Sequence, residues 1–486
     1  MNQTAFDKAK LHFENGIKFF NDLRYDLAEN EFLFSLQLAP DRLSIIDNLI
    51  KVYIKNEDKN KLDAFLKKFQ HLKNKTEVRF GLAYKEYFNN QYDKSIEICN
   101  SLLNIKEIEI QILDLLASNY NKKKDFLSVI KIYRKILSVS RKNFEIFYNI
   151  GTLLFNLGKT KQANFFFKKS NDLNKNHNST LWNLSLCALS FKDFYNGFLL
   201  YETRWLKNNS QIKKFTHIKS ANNINEILNK KILIWDEQGL GDTMQFSRFV
   251  IQLTKYSKDI TLVVNKKLKN LLSHFSPKIK VLDYDLLDEK SFDFQIPICS
   301  LPRLLKVKQI KEIPYYKLEL PIQKKNILNL NKEKLNIGLA WSGNPNYPND
   351  EYRSIPFKYF YNLLDFKNVN FFKLFKGLRV NELSDFNSYN ILDLGEKDFL
   401  DLSYCVKELD LVISSDTSII HLCGILGINS ILLLNFNSDW RWSNDNQNTY
   451  WYPSVQIIKQ QELNNWETVF EQLIRKLKST YKEKFN

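Results

Sequence analysis

The 486-residue sequence predicts an α-helical solenoid followed by an α/β region built from two consecutive parallel-sheet halves. Small and aromatic residues recur about every 34 positions over residues 1–206, which is the mark of stacked helix pairs. From residue 231 onward, short apolar runs alternate with helical stretches, which is the mark of a parallel sheet. At roughly 150 residues per domain, the length suits two or three units.

The repeat comes first in the chain. Gly16, Phe19, Ala28, Phe32 and Pro40 fall at offsets 0, 3, 12, 16 and 24. Ala28, Leu62, Ser95, Val129, Ala163 and Gly197 then follow one another in steps of 34, 33, 34, 34 and 34. Four residues later stand Phe32, Cys99, Tyr133, Phe167 and Tyr201. A small residue where two antiparallel helices cross allows close approach, and the aromatic fills the groove to the next pair. About six pairs are expected, the second (41–74) lacking the Gly and aromatic marks. This spacing resembles the tetratricopeptide repeat, whose stacks carry a concave face that takes a protein partner or packs on a neighbouring domain.

After Trp205 the polar stretch 207–229 reads as a linker. Residues 230–330 form the first α/β half, with strands at KILIWD (231–236), ITLVVN (260–265), residues 279–282 and FDFQIPI (292–298), and a helix from Thr243 to about Tyr256. Residues 331–486 form the second half. Its strands are LNIGLAW, VNFFKLF, LDLVIS and SILLLNF, with helices near Leu400, from Thr417 and from about Leu463 to Lys482.

Four stretches carry chemistry. In Glu237-Gln238-Gly239-Leu240-Gly241-Asp242, between a strand and a helix, the two glycines let the backbone turn beside a ligand and Asp242 sits at the helix start. An ordinary turn with Asp242 as N-cap fits equally. Ser414-Ser415-Asp416-Thr417-Ser418-Ile419-Ile420-His421 also runs from a strand's C-terminal end into a helix, where ligands of open α/β sheets collect. Its hydroxyls and free N–H groups suit a diphosphate and Asp416 suits sugar hydroxyls, with plain capping as the alternative. Ser342, Gly343 and Asn344 end a strand in a small hydrogen-bonding loop, and Arg353 follows within about ten residues as a phosphate-facing group or an exposed ion-pair partner. Asp439-Trp440-Arg441-Trp442 with Trp451-Tyr452-Pro453 places four large aromatics where they could stack on a base or sugar, or pack a hinge.

Composition narrows the classes. The chain is 44% apolar and 14% aromatic, and no run approaches the roughly 18 residues of a spanning helix. MNQTAFDKAK lacks a secretory signal's apolar core, so a cytoplasmic location is expected. Five scattered cysteines without a CxxC pair or clustered histidines argue against a disulfide framework and against a metal site. They are expected to be buried thiols. The net charge of +17 comes from lysines dispersed along the chain. Without a reader motif or a basic-aromatic stripe it does not indicate nucleic acid, although it suits an anionic ligand or peripheral contact with a membrane.

Taken together, YETRW, ILIWDEQGLGDTMQFSRF, CSLP, IGLAWSGNP, RSIP, DLVISSDTSIIHLCGILG, DWRW and WYPS resemble bacterial proteins that join tetratricopeptide repeats to a domain of glycosyltransferase family 9, the heptosyltransferases. The resemblance spans about Tyr201 to Lys459. It implies a GT-B fold and an inverting, metal-independent transfer from a nucleotide-sugar, ADP-heptose-like, with no cofactor beyond that substrate. It places the general base on Asp242, phosphate neutralisation on Arg353, and donor contacts on Asp416, Thr417 and His421. Ser418 stands where the family has glycine. Phe375 stands where it has a polar residue, with Lys376 beside it as a partial substitute. The implied acceptor is a protein or a cell-envelope glycan selected by the repeats; the alternative is a scaffold whose α/β region has lost catalysis.

Overall fold

A computed structural model of the chain describes residues 3–140, 142–206, 213–321, 327–328, 330–331, 333–345, 350–377, 382, 389, 391–394, 398–442 and 449–484. Among them, no helix is long and apolar enough to cross a membrane, and all five cysteines are buried.

The N-terminal region is six helix pairs: α1 (Gln3–Asn21) with α2 (Tyr25–Leu38), α3 (Leu43–Lys55) with α4 (Lys59–Lys68), α5 (Thr76–Phe88) with α6 (Tyr92–Leu102), α7 (Glu109–Lys122) with α8 (Phe126–Val139), α9 (Phe144–Asn156) with α10 (Thr160–Leu173), and α11 (Asn178–Ser190) with α12 (Phe194–Tyr201). These are tetratricopeptide-like repeats. The crossing positions Ala28, Leu62, Ser95, Val129 and Ala163 are all buried. Gly16 is glycine because a Cβ there would meet the Phe32 ring at 2.6 Å. The turn inside each pair is set by one left-handed residue, at Leu23, Glu57, Asn90, Lys124, Gly158 and Lys192. These recur in the same 34, 33, 34, 34, 34 rhythm as the crossing residues, so one backbone device is used six times. Only at Gly158 is it a glycine, and there a side chain would also press to 3.0 Å from Phe436. The second pair is present despite its weak sequence marks.

The chain divides into two compact units, Met1–Leu153 and Leu154–Asn486. The division lies inside α9, not at the end of the repeats, so α10–α12 share a unit with the α/β region. The first unit packs around Ala28, Phe32, Ile46, Leu49, Leu62 and Phe65.

The second unit holds two all-parallel sheets in succession, the layout of a GT-B fold. The first has order β3-β2-β1-β4, with β1 (Lys231–Trp235), β2 (Asp259–Val263), β3 (Ile279–Leu282) and β4 (Phe294–Pro297). The second has order β10-β9-β8-β5-β6-β7, with β5 (Leu335–Ala340), β6 (Val369–Lys373), β7 (Ile391–Asp393), β8 (Leu411–Ser414), β9 (Ser430–Leu434) and β10 (Val455–Lys459). β1 from Ile232, β5 and β9 are buried on both faces, as central strands of parallel sheets covered by helices require. In each sheet the first strand has a neighbour on either side reached by crossovers in opposite directions. Ligand crevices form outside the strand C-termini at such a switch point.

The described part of the predicted linker, from residue 213, is packed. Phe215 stacks on Tyr284 with ring centroids 6.3 Å apart, Ile218 and Ala221 are buried, and Ser220 bridges Gln295 of β4. Its polarity misleads because one buried amide serves it: Gln295 donates to Ser220 Oγ at 2.6 Å and accepts from the Trp235 indole at 2.6 Å.

Candidate active site

Helix α13 (Leu240–Leu253) begins right after β1. Gly239 is its N-cap, and the Asp242 carboxylate reaches back to accept from the Gly239 N–H at 3.0 Å. Asp242 is therefore the third helical residue rather than the cap itself, and this is the half of a capping box that a glycine cap permits. Its other oxygen accepts from Arg441 Nη2 at 2.5 Å. Arg441 also donates to Asp439 at 2.9 Å and Gln245 at 2.9 Å, and lies 4.5 Å over the Trp440 ring. A carboxylate from the first α/β half is thus held by a guanidinium from the second, across 199 residues of sequence.

Glu237, in the same turn, faces the other way. It forms a two-toothed pair with Arg204 at 2.7 and 2.8 Å and accepts from the Cys299 N–H at 3.0 Å. Arg204 donates further to Ser300, Glu202 and the Tyr201 carbonyl. Burial pushes the Glu237 carboxyl up and the Arg204 guanidinium pulls it back. Tyr201 meets Gln238 at 3.1 Å. The end of the last helix pair is thereby clamped to the turn that carries Asp242.

In the second half, Thr417 caps the helix Ser418–Leu426, its hydroxyl accepting from the Ile419 N–H at 3.4 Å. Ser418 is half-buried at the helix start. Arg353 donates to the Asp416 carbonyl at 3.2 Å and pairs with Asp350 at 3.0 Å. A Cβ on Gly343 would lie 2.6 Å from Arg353 Nη2. The loop of Ser342, Gly343 and Asn344, Arg353 and Asp416 therefore form one cluster at the C-terminal ends of β5 and β8. Ser342 is buried and Asn344 is exposed. The half-buried Asp416 carboxyl is pushed up to about 6 by desolvation and by the Asp439 carboxylate, against the Arg353 and Arg441 guanidiniums.

His421 lies deeper, one turn down that helix. It is 5% exposed, and its Nδ1 is 3.0 Å from the Tyr452 hydroxyl. Burial, with Arg441 adding, pulls the imidazole down to about 3, so the ring is neutral. A Cβ on Gly241 would meet His421 Cδ2 at 2.6 Å. The glycine thus lets α13 and the helix Ser418–Leu426 touch, joining the two halves at the base of the crevice. Gly239 is exposed at the rim.

Trp440, Trp442, Trp451 and Tyr452 are all buried. Trp440 faces Phe198 and Tyr201, Trp451 faces Phe246 and Phe249, and Trp442 and Tyr452 flank His421. They pack the junction rather than line an open platform. Lys376 is exposed beyond β6, and Phe375 packs edge-on to Trp341 at 4.7 Å. The buried cation on this strand is Lys373, 1% exposed, which donates to the Phe375 carbonyl at 2.6 Å and pairs with Asp393 at 3.0 Å. The sequence reading missed Lys373, Arg441 as a partner of Asp242, and the Arg204–Glu237 pair. A charged residue closing an otherwise apolar strand was the available signal for Lys373.

No family model and no curated protein matches the chain. Solved structures similar to it fall in two groups. For the repeats, PilF of Pseudomonas aeruginosa is 12% identical, over 43% of this chain and 96% of that one, with a TM-score of 0.34. For the α/β region, the E. coli ADP-heptose LPS heptosyltransferase II is 13% identical, over 52% and 99%, with a TM-score of 0.36. The glycosyl transferase family 9 protein of Veillonella parvula is 12% identical, over 53% and 99%, with a TM-score of 0.39.

Proposed function

We propose that the α/β region is a metal-independent, inverting glycosyltransferase using a nucleotide-sugar of ADP-heptose type, and that the repeats select its protein or cell-envelope glycan acceptor. One observation carries this reading: at the switch point of the second sheet, a glycine loop, Arg353 and the Asp416 turn converge, while a carboxylate, Asp242, stands on the opposing half within reach of the shared Arg441. A basic group and a helix start on one side suit a diphosphate, and a carboxylate on the other suits a hydroxyl.

In the proposed reaction an acceptor hydroxyl gives its proton to Asp242 as its oxygen bonds to the anomeric carbon. The bond from that carbon to the phosphate oxygen breaks on the opposite face, and the nucleoside diphosphate leaves with the electron pair. Arg353, Lys376 and the N–H groups at the start of the helix Ser418–Leu426 offset the charge that develops on it. In this reading Arg441 shifts from Asp242 toward the diphosphate as the donor arrives, which frees the carboxylate.

A second reading, a scaffold without catalysis, draws on the same contact: Asp242 is already engaged by Gly239 and Arg441. Thermal unfolding with ADP-, GDP-, UDP- and dTDP-sugars separates the two, since a ligand that binds only the folded state raises the midpoint. A selective rise for one nucleotide supports the transferase, and no rise with any of them supports the scaffold.

A further inference from the structure

The turn between β1 and α13 holds two glycines, yet neither takes its left-handed position. Gly239 is extended, with φ −117° and ψ 171°, and Gly241 is already helical. The residue with positive φ is Gln238, at 62°. A side chain in that conformation crowds the carbonyl that follows it, a cost that glycine escapes. The repeat turns accept the same cost at Leu23, Glu57 and Lys124, whose side chains are exposed. Gln238 differs in what its backbone and its amide hold.

The φ and ψ of residue 238 orient the peptide between 238 and 239, and the N–H of that peptide is the one that donates to Asp242 at 3.0 Å. At the side-chain end, both amide atoms lie within reach of the Tyr201 hydroxyl, Oε1 at 3.1 Å and Nε2 at 2.8 Å. Oε1 also lies 3.5 Å from Arg441 Nη2, the nitrogen that meets Asp242 at 2.5 Å. Tyr201, the final residue of α12, is 2% exposed. Burial pushes its phenol well above the ordinary range, with the Arg441 guanidinium pulling it back, so the hydroxyl keeps its proton. Gln238 therefore touches both partners of Asp242: it shares the peptide that donates from one side and faces the guanidinium that donates from the other.

We infer that Gln238 is a positioning residue for Asp242, locked in place by Tyr201, so that the last helix of the repeats sets the direction in which the proposed base points. The role of Asp242 as base rests on the transferase reading, whereas the hold on its carboxylate does not. A reacting group misplaced by about 1 Å loses about 10²-fold in rate. The proposed donor contacts at Arg353 and Asp416 belong to the other α/β half, so donor affinity is spared.

Two readouts on the full chain test this, with two variants. Gln238→Gly keeps a residue at ease in the left-handed region and deletes the amide, and Tyr201→Phe deletes only the hydroxyl. The first readout is ADP release from ADP-heptose with water as the acceptor hydroxyl. Each variant is expected to lower kcat by about 10–10²-fold with the donor KM nearly unchanged and the unfolding midpoint within about 3 °C of the wild type. A fall in kcat that tracks a fall in midpoint marks a merely structural role and overturns the inference, as does an unchanged kcat. The second readout is the rate at which a carbodiimide with glycine ethyl ester labels Asp242, read by peptide mass spectrometry, which needs no turnover. Arg441→Gln gives the rate for a released carboxylate. Both variants are expected to move the wild-type rate toward it by about two- to tenfold, the range of one ordinary hydrogen bond. A wild-type labelling rate in either variant overturns the inference. If the wild type releases no ADP, the transferase reading falls and the labelling rate alone decides whether Gln238 holds Asp242. If Gln238→Gly does not fold, Tyr201→Phe decides.

Discussion

The turn after β1 and the turn after β8 each lead from the C-terminal end of a parallel strand into a helix start, yet they handle charge in opposite ways. Glu237 and Asp242 are matched by Arg204 and Arg441 at 2.5–2.8 Å. Asp416 has no such salt bridge among the described residues: Arg353 bonds its carbonyl rather than its carboxylate, and the carboxyl rises to about 6. The first turn is built to hold its charges in place, and the second keeps one carboxyl poised between states. A strand end that leads into a helix start does not by itself decide which turn is structural and which is ready for a ligand; the neighbours contributed from elsewhere in the chain do.

The sharpest way to break this contrast is at Asp242. Asp242→Asn keeps an oxygen for the Gly239 N–H but removes the base, and should lower transfer by about 10²–10⁴-fold with donor affinity nearly unchanged. Turnover and donor binding measured side by side check this, and unchanged turnover rejects Asp242 as base. Next comes Glu237→Gln, which leaves Arg204 buried with half its pairing. It should cost about 3–5 kcal/mol in denaturant unfolding of the second unit, without the catalytic signature of the Asp242 variant.

The two titrating groups of the second turn sharpen the comparison through pH. His421 is depressed to about 3 in the fold against about 6.5 unfolded, so the unfolded chain takes up its proton first and stability falls as pH drops below 6.5. Between pH 6.5 and 4.5 the loss should be about 2–3 kcal/mol. Asp416 is raised from 3.8 to about 6, so in that window the folded chain binds its proton more tightly and stability rises as pH drops. The terms oppose each other. Asp416→Asn should therefore steepen the acid-side loss, and His421→Gln should reverse its sign, as followed by unfolding at stepped pH.

The smallest expected effects lie at two glycines. Gly241→Ala drives a methyl into His421 and should destabilise by about 1–3 kcal/mol. Gly343→Ala meets the end of a flexible arginine and should cost less than about 1 kcal/mol, while displacing Arg353 and weakening donor binding. If the two alanine variants prove equally destabilising, the close approach at Gly241 is not the tighter constraint.

Much of this architecture could be read from the residues. The six pairs announce themselves because a crossing helix needs a small residue at a fixed interval. The eight apolar runs became strands β1–β6, β8 and β9 because sheets covered on both faces demand continuous hydrophobic segments. β7 and β10 escaped notice: one is three residues long, and Val455–Lys459 carries a glutamine and a lysine that hide its pattern. Within the crevice, the loops stand out by their glycines and hydroxyls, but their partners do not. Arg441 lies among tryptophans that draw attention as aromatics, and its bond to Asp242 spans 199 residues. Arg204 looks like the end of a repeat until Glu237 is placed beside it. Local chemistry marks where a site lies, and long-range pairing decides which charges remain available.

The division inside α9 bears on how this chain can change over evolutionary time. Phe155, whose carbonyl accepts from Asn437, Gly158 against Phe436, and Arg204 in its clamp all lie on the far side of Leu153. Gain or loss of a whole 34-residue pair upstream would leave each of those contacts intact. Those contacts place no constraint on the number of early repeats, while they tie the last two pairs to the sheets they support.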